Sequence, residues 1–111
     1  MAFSSMKRIL IEKFGMEFIS PRVLVRKSGD SYELDVLAYS NRTKKEVYVV
    51  ETKSRLRDDD IDKMIEKLRK FPKFFPEHRD KALFGVITAI DDETFTLKIP
   101  KGFKAINFTK V

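Results

Sequence analysis

Two segments decide how this chain folds: Tyr32-Glu33-Leu34-Asp35-Val36-Leu37 and Val47-Tyr48-Val49-Val50-Glu51-Thr52-Lys53. Both have the alternation and β-branched content of half-buried strands. Between them Ser40-Asn41-Arg42-Thr43-Lys44-Lys45 gathers turn formers and charge. The pattern predicts a β-hairpin. With its midpoint at Thr43, Tyr39 opposes Val47, Leu37 opposes Val49 and Asp35 opposes Glu51, with Lys53 on the same face. A slip of one residue would turn Asp35 to the other face.

Opposed strand residues have Cβ atoms about 5 Å apart, and like charges placed so are destabilising. Lys53 offsets part of that repulsion. A divalent cation shared by both carboxylates does more, because hard cations take oxygen ligands of this kind. The plainer alternative is a solvated hairpin end with an ordinary ion pair worth ~0–1 kcal/mol. Glu-x-Lys alone would suit that alternative; the facing Asp35 favours the cation site.

The 111 residues suit a single domain, large enough to bury roughly two thirds of its surface without staples. There is no cysteine and a single histidine, His78, which excludes disulfides, a thiolate zinc site and a histidine metal cluster. The N-terminal Met-Ala-Phe-Ser-Ser-Met-Lys-Arg lacks the apolar core of a signal peptide, and no apolar run reaches the ~18 residues of a membrane span. A soluble, cytoplasmic protein is the expectation. Lys and Arg number 23 against 17 acidic residues, a formal charge of +6 that favours anionic partners. The acids concentrate at Asp58, Asp59, Asp60 and Asp62, at Asp91, Asp92 and Glu93, and around the hairpin, so the remaining surface is more basic than the net figure suggests.

Phe3, Met6, Leu10 and Phe14 recur at helical spacing, with Ser4 or Ser5 as a cap and Gly15 as a stop. From Met16 to Lys27 the chain is β-prone, and Pro21 is expected to confine pairing to the part after it. Ser28-Gly29-Asp30 then turns into the strand bearing Asp35. After Lys53, apolar Ile61, Met64, Ile65, Leu68 and Phe71 mark an amphipathic helix, acidic in its first turn and basic in its last, which Pro72 is expected to end. Asp58 to Asp60 suit capping and the helix dipole and need only face water. Phe71 to Lys81 reads as a connecting loop in which Phe74 and Phe75 cover the core edge in the plainest reading, with base stacking or a dimer contact as the alternatives. Ala82 to Ile90 suits a strand buried on both faces. The type of residues 91–102 is left open, and Ala105 to Val111 can supply a last strand.

This order of helix, three-strand meander with Asp then Glu-x-Lys, amphipathic helix and buried strand resembles the PD-(D/E)XK, or restriction-endonuclease-like, nuclease superfamily over most of the chain. The resemblance implies an α/β fold with a mixed central sheet of about four to five strands flanked by helices, in α-β-β-β-α-β order. It implies hydrolysis of phosphodiester bonds, most naturally of DNA, with Mg2+ as the metal and Mn2+ as its substitute. By residue, Asp35 is similar to the metal-binding aspartate, Glu51 to the second ligand and Lys53 to the motif lysine, while Thr52 would lend its backbone carbonyl. Glu12 on the first helix is a weaker match to an additional acidic residue. Leu34 stands where proline often precedes the aspartate. Lys63, Met64 and Lys67 occupy the region where the RecB-like branch carries glutamine, so that branch is not assigned. The small size resembles that of archaeal junction resolvases, which work as dimers, so the resemblance implies a homodimer. A second reading is an inactive nuclease-fold domain that binds nucleic acid or mediates assembly.

Overall fold

The computed structural model describes residues 3–42, 45–55, 57–89, 96–100 and 106–108. Helix α1 spans Phe3–Glu12, ahead of strands β1 (Phe18–Lys27), β2 (Asp30–Ser40) and β3 (Glu46–Lys53). Helix α2 (Asp58–Phe74) and a short 3-10 turn (Pro76–His78) lead to β4 (Ala82–Ala89), β5 (Thr96–Pro100) and β6 (Ile106–Phe108). The strands form one sheet in sequence order, antiparallel throughout except for the parallel pair β3 and β4. This is an α/β fold with a mixed sheet. Among the described residues its six strands exceed the four to five expected, because both segments after β4 pair on.

The hairpin has the expected register: Tyr39 pairs with Val47 and Leu37 with Val49. Its midpoint Thr43 lies outside the described residues. Alternation along β3 assigns the two faces. Val47 and Val49 pack with Met64, Leu68, Phe71 and Phe74 of α2, whereas Tyr48 and Val50 pack with Leu10 of α1 and with Phe14 just beyond it. In β4, Ile87 joins the first cluster and Val86 the second, so its apolar run is buried on both faces as the sequence suggested.

Helix α1 begins at Phe3, ahead of both serines expected to cap it. It stops where Gly15, at φ +68°, donates its N–H to the Ile11 carbonyl and Met16 donates to Leu10. Between β1 and β2, Ser28 and Gly29 both take positive φ, the geometry of a two-residue turn whose twist matches the flanking strands.

Two boundaries differ from the sequence reading. Strand β1 pairs on both sides of Pro21, which itself stands opposite Val36. It is an outer strand of the sheet, where a missing N–H can be tolerated. Helix α2 runs past Pro72 to Phe74, and Phe75 N–H donates to the Phe71 carbonyl at 2.9 Å. Proline removes one helical hydrogen bond, but Phe71, Phe74 and Phe75 are all buried, and their packing holds the last turn. Both Phe74 and Phe75 thus belong to the core.

The alternation breaks once, and in two strands at the same step. Leu34 and Leu37 both pack in the α2 cluster although three positions apart, while Val36 lies in the α1 cluster. Strand β1 does the same: Ile19 packs on the α1 side and Val23 on the α2 side. Between the paired residues Pro21–Val36 and Val23–Leu34, Arg22 and Asp35 form no ladder pair, and Arg22 takes φ +54°. The result is a local kink of the bulge type, which re-aims a side chain. Here that side chain is Asp35.

Candidate functional site

The ladder joining β2 to β3 ends at Val36–Val50. Beyond that pair β2 continues with β1 as far as Asp30, and β3 continues with β4 as far as Lys53. The two strands thus form a fork, and its crotch holds Asp35, Glu51 and Thr52. Side chains replace the missing backbone bonds there. The Asp35 N–H donates to Glu51 Oε2 at 3.2 Å, and the Thr52 N–H donates to Asp35 Oδ2 at 2.7 Å.

Helix α2 closes the fork from one side. Lys67 reaches both prongs, with Nζ donating to the Glu33 carbonyl of β2 at 2.8 Å and pairing with Glu51 Oε1 of β3 at 3.2 Å. The Tyr32 hydroxyl donates back to the Lys67 carbonyl. Lys53 Nζ lies 3.7 Å from Oδ1 of Asp60, whose Oδ2 accepts the Arg57 N–H at 2.7 Å and caps the helix. Glu51, Lys53, Asp60, Lys63, Met64, Lys67 and Ile87 line a cleft of about 200 Å³.

Electrostatics differ between the carboxylates. The Glu51 side chain is 15% exposed. Burial, the largest influence, pushes its pKa above the ordinary 4.5, and the neighbouring Asp35 charge adds to the rise while Lys67 opposes it. Asp35 is exposed. A buried carboxylate with a negative neighbour favours a cation beside it, and Lys67 supplies one.

The structure brings together Asp35, Glu51 and the Thr52 backbone, and sets Lys53 in the cleft beside Glu51. Glu12 stands apart from them: it is exposed at the end of α1, whose Leu10 packs on the sheet face opposite α2. Among the described residues no three acidic or histidine side chains gather as a metal cluster. A divalent ion of the magnesium type still suits the donors present. Two carboxylates and a backbone carbonyl are hard oxygen ligands, and such an ion ordinarily keeps several waters and takes substrate phosphate oxygens.

Two participants were not assigned from the sequence. Asp60, whose place at a helix start needs only a water-facing acid, is 5% exposed and pairs with Lys53. In the sequence Lys67 reads as a basic residue of the helix's last turns and as a departure from a helical motif. Its spacing four residues after Lys63 places both on one face of α2, a signal that could have marked it once the helix was placed over the hairpin.

No protein-family model matches the chain, and no curated protein matches it. A solved structure described as "Crystal structure of SSO0001" is similar at a TM-score of 0.42 and 17% identity, over 91% of this chain and 50% of the other. The chain thus spans half the length of that protein. No helix among the described residues is long and apolar enough to cross a membrane.

Proposed function

We propose that this protein is a metal-dependent nuclease that hydrolyses phosphodiester bonds of DNA, with Asp35, Glu51 and the Thr52 carbonyl holding Mg2+ and Lys53 serving the phosphate. The observation carrying this reading is the fork, where Glu51 accepts the Asp35 N–H and the Asp35 carboxylate accepts the Thr52 N–H, with Glu51 lining a cleft shared by Lys53, Lys63 and Lys67. Bound there, a divalent cation would stabilise charge on phosphate oxygens and lower the pKa of a nearby water.

Each residue then has a distinct task. Asp35 is oriented by the Thr52 N–H, and Glu51 by the Asp35 N–H and Lys67, so both carboxylates are fixed before a substrate arrives. Lys53 holds the scissile phosphate or orients the attacking water. Asp60 steadies Lys53 from the helix start. The formal charge of +6 assists approach to an anionic strand. Cutting both strands of a duplex calls for paired sites, and hence a homodimer.

One observation favours the second reading, an inactive nuclease-fold domain that binds nucleic acid or mediates assembly. Both carboxylates already have protein partners, as groups that only lock a fork would. Plasmid nicking separates the two. The nuclease nicks with Mg2+ or Mn2+, stops with chelator, and loses activity in Asp35→Asn and Glu51→Gln. The loss should be at least on the order of 100-fold, since groups that merely support a metal ligand cost roughly 10–100-fold. Equal activity of wild type and both variants would sink the proposal.

A further inference from the structure

Lys67 has a position that phosphate binding alone does not explain. Its ammonium sits inside the fork, 3.2 Å from Glu51 Oε1 and 2.8 Å from the Glu33 carbonyl oxygen. Its main chain is tied down separately, because the Tyr32 hydroxyl donates to the Lys67 carbonyl. The anchored part is the backbone, and the flexible four-carbon stem carries the charge. That side chain is 27% exposed and lines the same cleft as Lys53 and Lys63, so its ammonium has an open direction in which to move.

We propose that Lys67 is a displaceable counter-cation, neutralising Glu51 in the free site and yielding that carboxylate to a divalent ion, after which its ammonium serves a phosphate of the nucleic acid. The inference rests on the nuclease reading and adds an order of events to it. The Glu51 side chain is only 15% exposed and feels the negative charge of Asp35, whose N–H it accepts, so a positive partner is required in the free state. Lys67 fills that need. A divalent ion on the same carboxylate would lie close to the ammonium, and two cations at such range repel. One must leave, and the lysine has the flexible arm.

The consequence is a pair of opposite effects. Lys67 weakens cation binding to the free protein, because the ion must displace it, and strengthens binding of nucleic acid, because its charge is then available. A residue that only supported the fork would favour both events together.

The test is Mn2+ binding to the full chain by titration calorimetry and by the spin-resonance signal of free Mn2+, with binding of a labelled DNA duplex followed by anisotropy in Mn2+. Lys67→Met should bind Mn2+ about tenfold more tightly than wild type, a gain equivalent to ~1.4 kcal/mol, and bind the duplex several-fold more weakly. Lys67→Arg, which keeps the charge, should stay near wild type in both. Lys67→Gln, which keeps a donor for the Glu33 carbonyl, carries the same expectation as the methionine variant should that one fail to fold by circular dichroism. Equal or weaker Mn2+ binding in the neutral variants overturns the inference. If Glu51→Gln still abolishes Mn2+ binding in that case, the nuclease reading survives. Mn2+ binding that ignores Glu51→Gln defeats both.

Discussion

Gly85 of β4 lies against Met64 of α2 with no room for another atom: a Cβ at residue 85 would stand 2.6 Å from Met64 Sδ, 2.7 Å from Met64 Cγ and 3.1 Å from Leu68 Cδ1. The closeness brings the helix down onto the sheet. Met64 also lines the cleft beside Glu51 and Lys67, so the contact helps set how near the helix lysines come to the fork.

Gly85→Ala should therefore destabilise the fold by about 1–3 kcal/mol, the usual cost of overpacking a filled core. Urea unfolding measures it. Met64→Ala, itself costly as a large-to-small core change, should cost less in the Gly85→Ala protein than alone, giving a clear departure from additivity for residues in contact. A Gly85→Ala protein that unfolds at the wild-type midpoint would mean the gap is wider than the distances indicate.

Asp60 does two jobs with separate oxygens: Oδ2 accepts the Arg57 N–H, and Oδ1 faces Lys53. Replacing it by alanine should cost about 0.5–2 kcal/mol, as loss of an N-terminal helix cap does. Asp60→Asn keeps an acceptor for the Arg57 N–H and should cost less. Comparing the two in urea decides which contact matters more. Equal losses would assign the stabilisation to the ion pair with Lys53.

His78 is buried against Tyr39, with ring centroids 4.5 Å apart, and its Nδ1 has no hydrogen-bond partner. Burial, joined by the Lys81 charge, pulls its pKa below the ordinary 6.5. Between the folded pKa and 6.5 the unfolded chain binds a proton that the folded one refuses, so stability falls as pH drops below about 6.5. Glu51 works the other way. Its pKa is raised, so its contribution is full below pH 4.5 and is lost as pH rises through the folded value. The clean experiment is to follow stability against pH in Glu51→Gln, with and without His78→Phe. The histidine variant should flatten the slope just below pH 6.5, and an unchanged slope would mean that another group titrates there.

What the sequence disclosed, and what it hid, follows from the range of the interactions involved. The register of β2 on β3 was legible because alternation and an odd-numbered loop are local, and it placed Asp35 next to Glu51 without knowledge of the remaining chain. The body of α2 was legible for the same reason, through apolar residues from Ile61 to Phe71. Its end was not. Pro72 reads locally as a stop, and only burial of Phe74 and Phe75 against distant strands explains the extra turn. The kink at Arg22 and Asp35 was hidden too, since no glycine marks it and it exists only where β1 lies beside β2. Lys67 was the least legible. A lysine on a helix face is ordinarily solvated, and its partners Glu33 and Glu51 are reached only when the helix crosses the fork.

The outer strand β1 carries Pro21 and, next to it, Arg22 in the left-handed region, on a margin where Leu24 and Phe18 are exposed. Such a border would otherwise invite other polypeptides to extend the sheet sideways. A ring nitrogen that cannot donate, followed by a backbone bend, spoils the template in mid-strand. Concentrated solutions of this protein should thereby be guarded against growth into β-rich aggregates from that side, and replacing the proline would remove part of the guard.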